Sequence, residues 1–162
     1  MTAIAITLEL MLASALLVAA FGKFTAWGRW REARTELRLD VPAPLWTALP
    51  FLEMGVGTGL ALGLRPFTAP AALLLFVVFA VALAVSYRRG ARGECNCLGA
   101  LLPTQVGPWA ILRALGLALI AAALVFAGPT TSSIHPVGLA GAVVLAAVVI
   151  LVGSVRAMAF SR

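Results

Sequence analysis

The chain has 162 residues, of which 62% are hydrophobic and only 11% charged, too few polar side chains to cover a water-soluble core of that size. That balance excludes a soluble globular domain and predicts an all-α polytopic membrane helix bundle, a single transmembrane domain over residues 1–162. The net charge of +6 comes from twelve basic residues, all arginine but Lys23, that lie mostly between apolar stretches; they point to lipid head groups and orientation in a bilayer and away from nucleic acid.

No basic residue precedes Lys23, so the first apolar stretch lacks the charged start of a cleavable secretory signal and is expected to stay as a helix. Five stretches are long enough to cross the ~30 Å hydrocarbon core at roughly 1.5 Å per residue: Ile4 to Phe21, Leu45 to Leu64, Phe67 to Tyr87, Trp109 to Ala127 and Val137 to Val155. Between the first two, Trp27 to Pro44 is rich in arginine and glutamate yet keeps Trp30, Ala33, Leu37 and Val41 on one helical face. This spacing predicts an amphipathic helix in the membrane interface, with a solvated loop as the alternative. In the second span, Gly55, Gly59 and Gly63 recur every four residues and predict a groove for a neighbouring helix. Pro50 is expected to bend that span, and Arg65-Pro66 joins it tightly to the third.

An odd number of spans separates the termini. Ten basic residues, from Lys23 and Arg29 to Arg156 and Arg162, then share one side, against Arg65 on the other. The positive-inside rule therefore predicts an outside N-terminus and a cytoplasmic C-terminus, with the loop after the third span also cytoplasmic.

That loop carries Glu94-Cys95-Asn96-Cys97-Leu98-Gly99-Ala100 and holds both cysteines of the chain. Cysteines at i and i+2 close only a very small disulfide ring, whose geometry departs from the relaxed one and makes it easy to reduce. Such a bond suits exchange. Arg88, Arg89 and Arg92 upstream, and a helix N-terminus opened by Pro108 downstream, both favour a thiolate. Cys95 and Cys97 are therefore the candidate catalytic pair, with Cys95, nearer the arginines, as the attacking thiol. Two alternatives stay open. The cysteines are small buried residues, or they form half of a soft-metal site, although the single histidine, His135, falls on the opposite side and the chain has no third cysteine. No metal is predicted.

Glu53 lies about half-way along the second span, where a carboxylate needs a partner, a proton or a function. Lys23 and Arg113 both fall within its reach, so Glu53, Arg113 and Lys23 form a candidate supporting polar cluster, either a structural ion pair or a proton path coupled to thiol chemistry. Glu9 is expected at the opposite interface, and His135 in a solvated turn.

Five features together resemble the methylamine utilisation MauE family, within the wider DoxX-like group of small membrane proteins. They are Gly22-Lys23-Phe24, Glu53 with the glycines after it, Tyr87-Arg88-Arg89-Gly90, Cys95-Asn96-Cys97-Leu98-Gly99, and Arg113, and they run from Gly22 to about Phe126. Members typically carry Cys-Gly-Cys-Phe-Gly, so Asn96 and Leu98 depart from the pattern, altering loop flexibility and partner fit while leaving both thiols. The resemblance implies a role in making or maintaining disulfides in exported redox proteins, in the bacterial cytoplasmic membrane, beside a thioredoxin-like protein or another membrane redox partner. Exported clients lie outside, whereas the charge rule puts the cysteines inside. Three arrangements reconcile the two: a re-entrant loop reached from the far side, an inverted topology, or a quinone or partner membrane protein that completes the electron path. A quinone is thus the one candidate cofactor. The rival readings are a non-catalytic membrane assembly or binding module organised on the glycine-rich helix, and a small-molecule transporter.

Overall fold

A computed structural model describes residues 2–91, 94–95 and 104–127. Within these, α1 (Thr2–Thr25), α2 (Trp27–Glu36), α3 (Ala43–Ala61), α4 (Arg65–Arg88) and α5 (Pro108–Phe126) form a helical bundle. A minimal ribbon joins β1 (Glu94–Cys95) to β2 (Thr104–Gln105) between α4 and α5. The expected fifth span, Val137 to Val155, lies outside the described residues, as do Cys97 and His135.

Three of the described helices are long and apolar enough to cross a membrane: Ile4–Thr25, Arg65–Arg88 and Pro108–Phe126. The 19-residue α3 matches the shortest of them in length, but Pro50, Glu53 and glycines at positions 55, 57 and 59 dilute its apolar character. It packs against α1 and α4, which lets it bury what it could not expose to lipid. The shared core draws Leu12, Ala13 and Leu16 from α1, Leu60 and Ala61 from α3, Ala69, Ala72 and Phe76 from α4, and Ala118, Ala121 and Leu124 from α5. Alanines dominate because lipid tails are as apolar as the core, so association rests on close packing rather than on water release.

The ends of three helices share one device. Leu64 and Gly63 donate their backbone N–H groups to the carbonyls of Gly59 and Leu60, while Ala91 and Gly90 do the same to Ser86 and Tyr87. Gly63 and Gly90 sit at φ +75°, the left-handed conformation this cap demands. The third case is α2, where Arg38 takes that conformation at φ 51° as Arg38 and Leu39 cap Thr35 and Arg34. The amphipathic helix therefore stops at Glu36, well short of the expected run to Pro44, because the reversal at Arg38 leads into an extended approach to Pro42, which precedes α3.

Helix α2 turns its apolar face onto the bundle. Trp30, Ala33 and Leu37 are buried with Trp46, Ala80, Leu83, Val106 and Ala114 in a second cluster, so one helical face of α2 covers an end of the bundle.

The glycines of α3 correct the expected groove, because residues four apart mark a face without saying what lies against it. A Cβ on Gly55 would meet nothing within 4 Å. The close approach to α1 is at Gly57, where a Cβ would stand 3.1 Å from Leu17 Cγ, 3.2 Å from Leu16 Cβ and 3.3 Å from the Ala13 carbonyl oxygen. Gly59 faces Thr68 of α4, and Gly63 serves the turn. In detergent melting experiments Gly55→Ala is expected to be neutral or to stabilise by up to about 1 kcal/mol through helix propensity. Gly57→Leu, which forces α1 and α3 apart, should cost about 1–3 kcal/mol or more; equal effects at the two positions would contradict this packing.

Candidate functional site

The basic end of the bundle is built around one buried charge pair. Lys23, in the last turn of α1, and Glu53, in the middle of α3, are both fully enclosed. Lys23 Nζ donates to both carboxylate oxygens, at 2.7 Å to Oε1 and 2.8 Å to Oε2, with a longer contact of 3.5 Å to the Ala19 carbonyl. The ammonium also lies 5.1 Å from the centre of the Trp30 ring and 5.6 Å from that of Phe79. Two carboxylate contacts and two aromatic faces are the surroundings a desolvated cation requires. Of the two cations within reach of Glu53 in the sequence, Lys23 is the one in contact. Arg113, on the second turn of α5, is exposed and lines a separate small cavity of about 40 Å³ beside Ala15, Phe76 and Leu117. The three-residue cluster is therefore a pair, because α5 turns Arg113 away from α3.

Trp30 and Trp46 hold α2 over this pair. Their rings stack at 4.1 Å with 10° between planes, and Trp46 Nε1 donates to the Trp30 carbonyl at 2.8 Å. Beside them the α4 end is tied down from outside. Arg38 Nη1 donates to the Arg89 carbonyl at 2.9 Å, and Arg89 Nη1 donates to the Arg38 carbonyl and to Asp40 Oδ2. Arg89, expected to supply positive charge to the cysteines, is thus committed to the turn after α2. Its contact with Asp40 is exposed and contributes at most about 1 kcal/mol.

Cys95 belongs to β1, where it is the antiparallel partner of Thr104, with Glu94 opposite Gln105. Directly after β2, Val106 is buried in the cluster that contains Trp30 and Trp46, and Gly107 leads into Pro108 at the first position of α5. The backbone of Cys95 is in this way anchored to the end of the bundle that holds Lys23 and Glu53.

Sequence reasoning missed Ser86 and the tryptophan stack. Ser86 is fully buried near the end of α4, and its hydroxyl has no hydrogen-bond partner among the described residues; the same holds for Trp30 Nε1. A lone serine in the apolar run before Tyr87 was the available signal. At the other end, Glu9 is buried against the protein, and so is Arg65 at the start of α4.

The model of the family described as Methylamine utilisation protein MauE matches residues 1–127, and the chain belongs to that family. No curated protein and no solved structure matches it.

Removing one member of a buried ion pair strands the other. Lys23→Met or Glu53→Leu should each lower stability by about 3–5 kcal/mol, whereas the two together, an apolar pair of similar volume, should recover most of the loss. Melting of the four proteins in detergent checks this. Additive losses in the double variant would show that the two residues act separately.

Proposed function

We propose, with membership of the MauE family as the premise, that this membrane protein exchanges thiols and disulfides through Cys95 and Cys97. It thereby supports disulfide formation or maturation of exported redox proteins. The family's description names methylamine utilisation, and the client is proposed to belong to that process. In the exchange, a thiolate of the reduced partner attacks the Cys95–Cys97 disulfide and forms a mixed disulfide. The partner's second thiol then displaces the chain, leaving the partner oxidised and Cys95 and Cys97 as a dithiol.

The observation that carries this reading is the pairing of Cys95 with Thr104. Cys95, one member of the closely spaced cysteine pair, lies on a short ribbon whose second strand is followed directly by the buried Val106. A redox cysteine has to be reached by a partner, and a loop held by a rigid scaffold provides that. Lys23 and Glu53 are proposed to support the site by fixing α1 against α3 beneath it. Arg113 is proposed to contribute positive charge near the start of α5. The partner is a thioredoxin-like protein or another membrane redox protein, and the compartment is the bacterial cytoplasmic membrane, with the N-terminus outside.

Membranes holding the oxidised chain should oxidise a reduced thioredoxin-fold dithiol protein. Cys95→Ser and Cys97→Ser should each reduce that rate to background, with the protein still present in the membrane. Oxidation at the normal rate by both single variants would sink the thiol reading in favour of an assembly or binding module, and substrate flux unaffected by the same substitutions would favour a transporter. Sidedness follows from labelling the reduced chain with a membrane-impermeant maleimide in sealed vesicles of each orientation. Reaction from the cytoplasmic face is expected, and labelling only from outside would overturn the orientation.

A further inference from the structure

Two cavities meet at the segment that joins α2 to α3. One is an open basin of about 500 Å³, lined mainly by polar surface from Arg34, Arg38, Asp40 and Arg89. The other, of about 160 Å³, lies between α2, α3 and α4 and is walled almost wholly by apolar surface, with Trp46, Leu49, Phe79 and Leu83 among its lining. Leu39 and Val41 line both. The apolar cavity opens sideways at Leu45 and Val78, which are 67% and 49% exposed. A dry void of about 150 Å³ holds a ligand the size of benzene, so a stretch of acyl chain fits this one.

The basin carries more positive charge than the protein itself uses. Arg34 Nη1 donates to the Val41 carbonyl at 3.1 Å, Arg38 Nη1 to the Arg89 carbonyl, and Arg89 Nη1 to the Arg38 carbonyl and Asp40 Oδ2. A guanidinium has five N–H groups, and among the described residues Nε and Nη2 of all three arginines make no hydrogen bond. The Nη1 contacts hold each fork in place and leave its remaining donors for a ligand. Against three cations the wall has one acid, Asp40, whose side chain is 94% exposed. Arg89 follows directly on the last turn of α4, so the basin sits where that span leaves the hydrocarbon, at the level of the head groups.

A small anion would engage the arginines and leave the apolar cavity empty, while a fatty chain or a neutral lipid would leave the arginines unmatched. We propose that the two cavities together bind one anionic phospholipid. Its phosphate oxygens accept from Arg34, Arg38 and Arg89, an arrangement for which forked donors are suited. One acyl chain passes Leu39 and Val41 into the apolar cavity, restoring the dispersion contacts that its lining lacks, and leaves past Leu45 and Val78. This is a site for a single molecule, unlike the diffuse attraction of basic loops to a negative surface, and it depends on neither cysteine. A lipid seated there pins the segment between α2 and α3 against the end of α4.

Native mass spectrometry of the full chain, released from detergent with added lipid, tests the site. One dioleoylphosphatidylglycerol per chain is expected, bound roughly tenfold more tightly than dioleoylphosphatidylcholine. Arg34→Gln should weaken binding about fivefold, the loss of one basic residue at an anionic head group, and Ala82→Phe, which fills the apolar cavity from α4, roughly tenfold or more. Asp40→Asn removes the carboxylate that competes for Arg89 and should strengthen binding about twofold to fivefold. Equal binding of the two lipids overturns the proposal. So does full displacement by glycerol 3-phosphate, the mark of a free-anion site, and so does a preference for the anionic lipid that Ala82→Phe leaves unchanged, the mark of diffuse attraction. Unchanged binding in Asp40→Asn overturns it as well, and decides the matter alone if Arg34→Gln and Ala82→Phe do not fold.

Discussion

A lysine and a glutamate cannot be left apart in an apolar bundle, and the arrangement of the basic end follows from keeping them together. Lys23 and Glu53 lie 30 residues apart in the chain, on different helices, so their contact sets the rotation of α1 against α3 as well as the depth at which the two cross. Gly57 permits the approach by leaving Leu16 and Leu17 of α1 room against α3. The desolvation of both charges is opposed by two short contacts and by the faces of Trp30 and Phe79. Because Trp30 belongs to α2, the charge pair also selects where the amphipathic helix docks. The ion pair is thus a register device, specifying one packing among the many that alanine-rich helices would accept.

Helix α2 is a cover rather than a raft. Its apolar residues face Trp46, Leu83 and Val106, while Arg29, Arg31 and Glu32 remain exposed. Beneath that cover lie the stacked rings of Trp30 and Trp46 and the buried Val106 that follows the ribbon carrying Cys95. Buried charged side chains lie at both ends of the bundle, Lys23 and Glu53 at one and Glu9 and Arg65 at the other, and the core between them is mostly packed alanine, leucine and phenylalanine.

How much of this could be read from the residues depends on the range of the interaction concerned. Long apolar runs, broken only by Glu9 in the first and Arg113 in the last, predict α1, α4 and α5 because a helix that must satisfy its own backbone in lipid is specified locally. The spacing of Trp30, Ala33 and Leu37 predicts the inward face of α2 for the same reason. The end of α2 was harder to see, since nothing in the residue type of Arg38 announces a left-handed cap. Glu53 advertised the need for a partner, but the choice of Lys23 over Arg113 depends on helix rotations that no local pattern records. The glycines show the same limit: their spacing marks a face of α3, yet which of them touches α1, α4 or open space is a tertiary fact. Ser86 and the tryptophan stack became visible only when α2, α3 and α4 were brought together.

The dilution of α3 bears on how the chain enters the bilayer. A carboxylate at the centre of a membrane helix costs about 2.5–3.5 kcal/mol at insertion, and α3, which carries it together with Pro50 and three glycines, is not among the helices apolar enough to cross a membrane. Lys23 has an easier time alone, since it lies in the last turn of α1, where its long stem can carry the ammonium to the head groups. The first helix can therefore wait in the membrane for the third, whereas the third is poorly suited to stay there without the first. Biogenesis is ordered by the same two side chains that lock the finished bundle, and chain synthesis delivers them in the order that this requires.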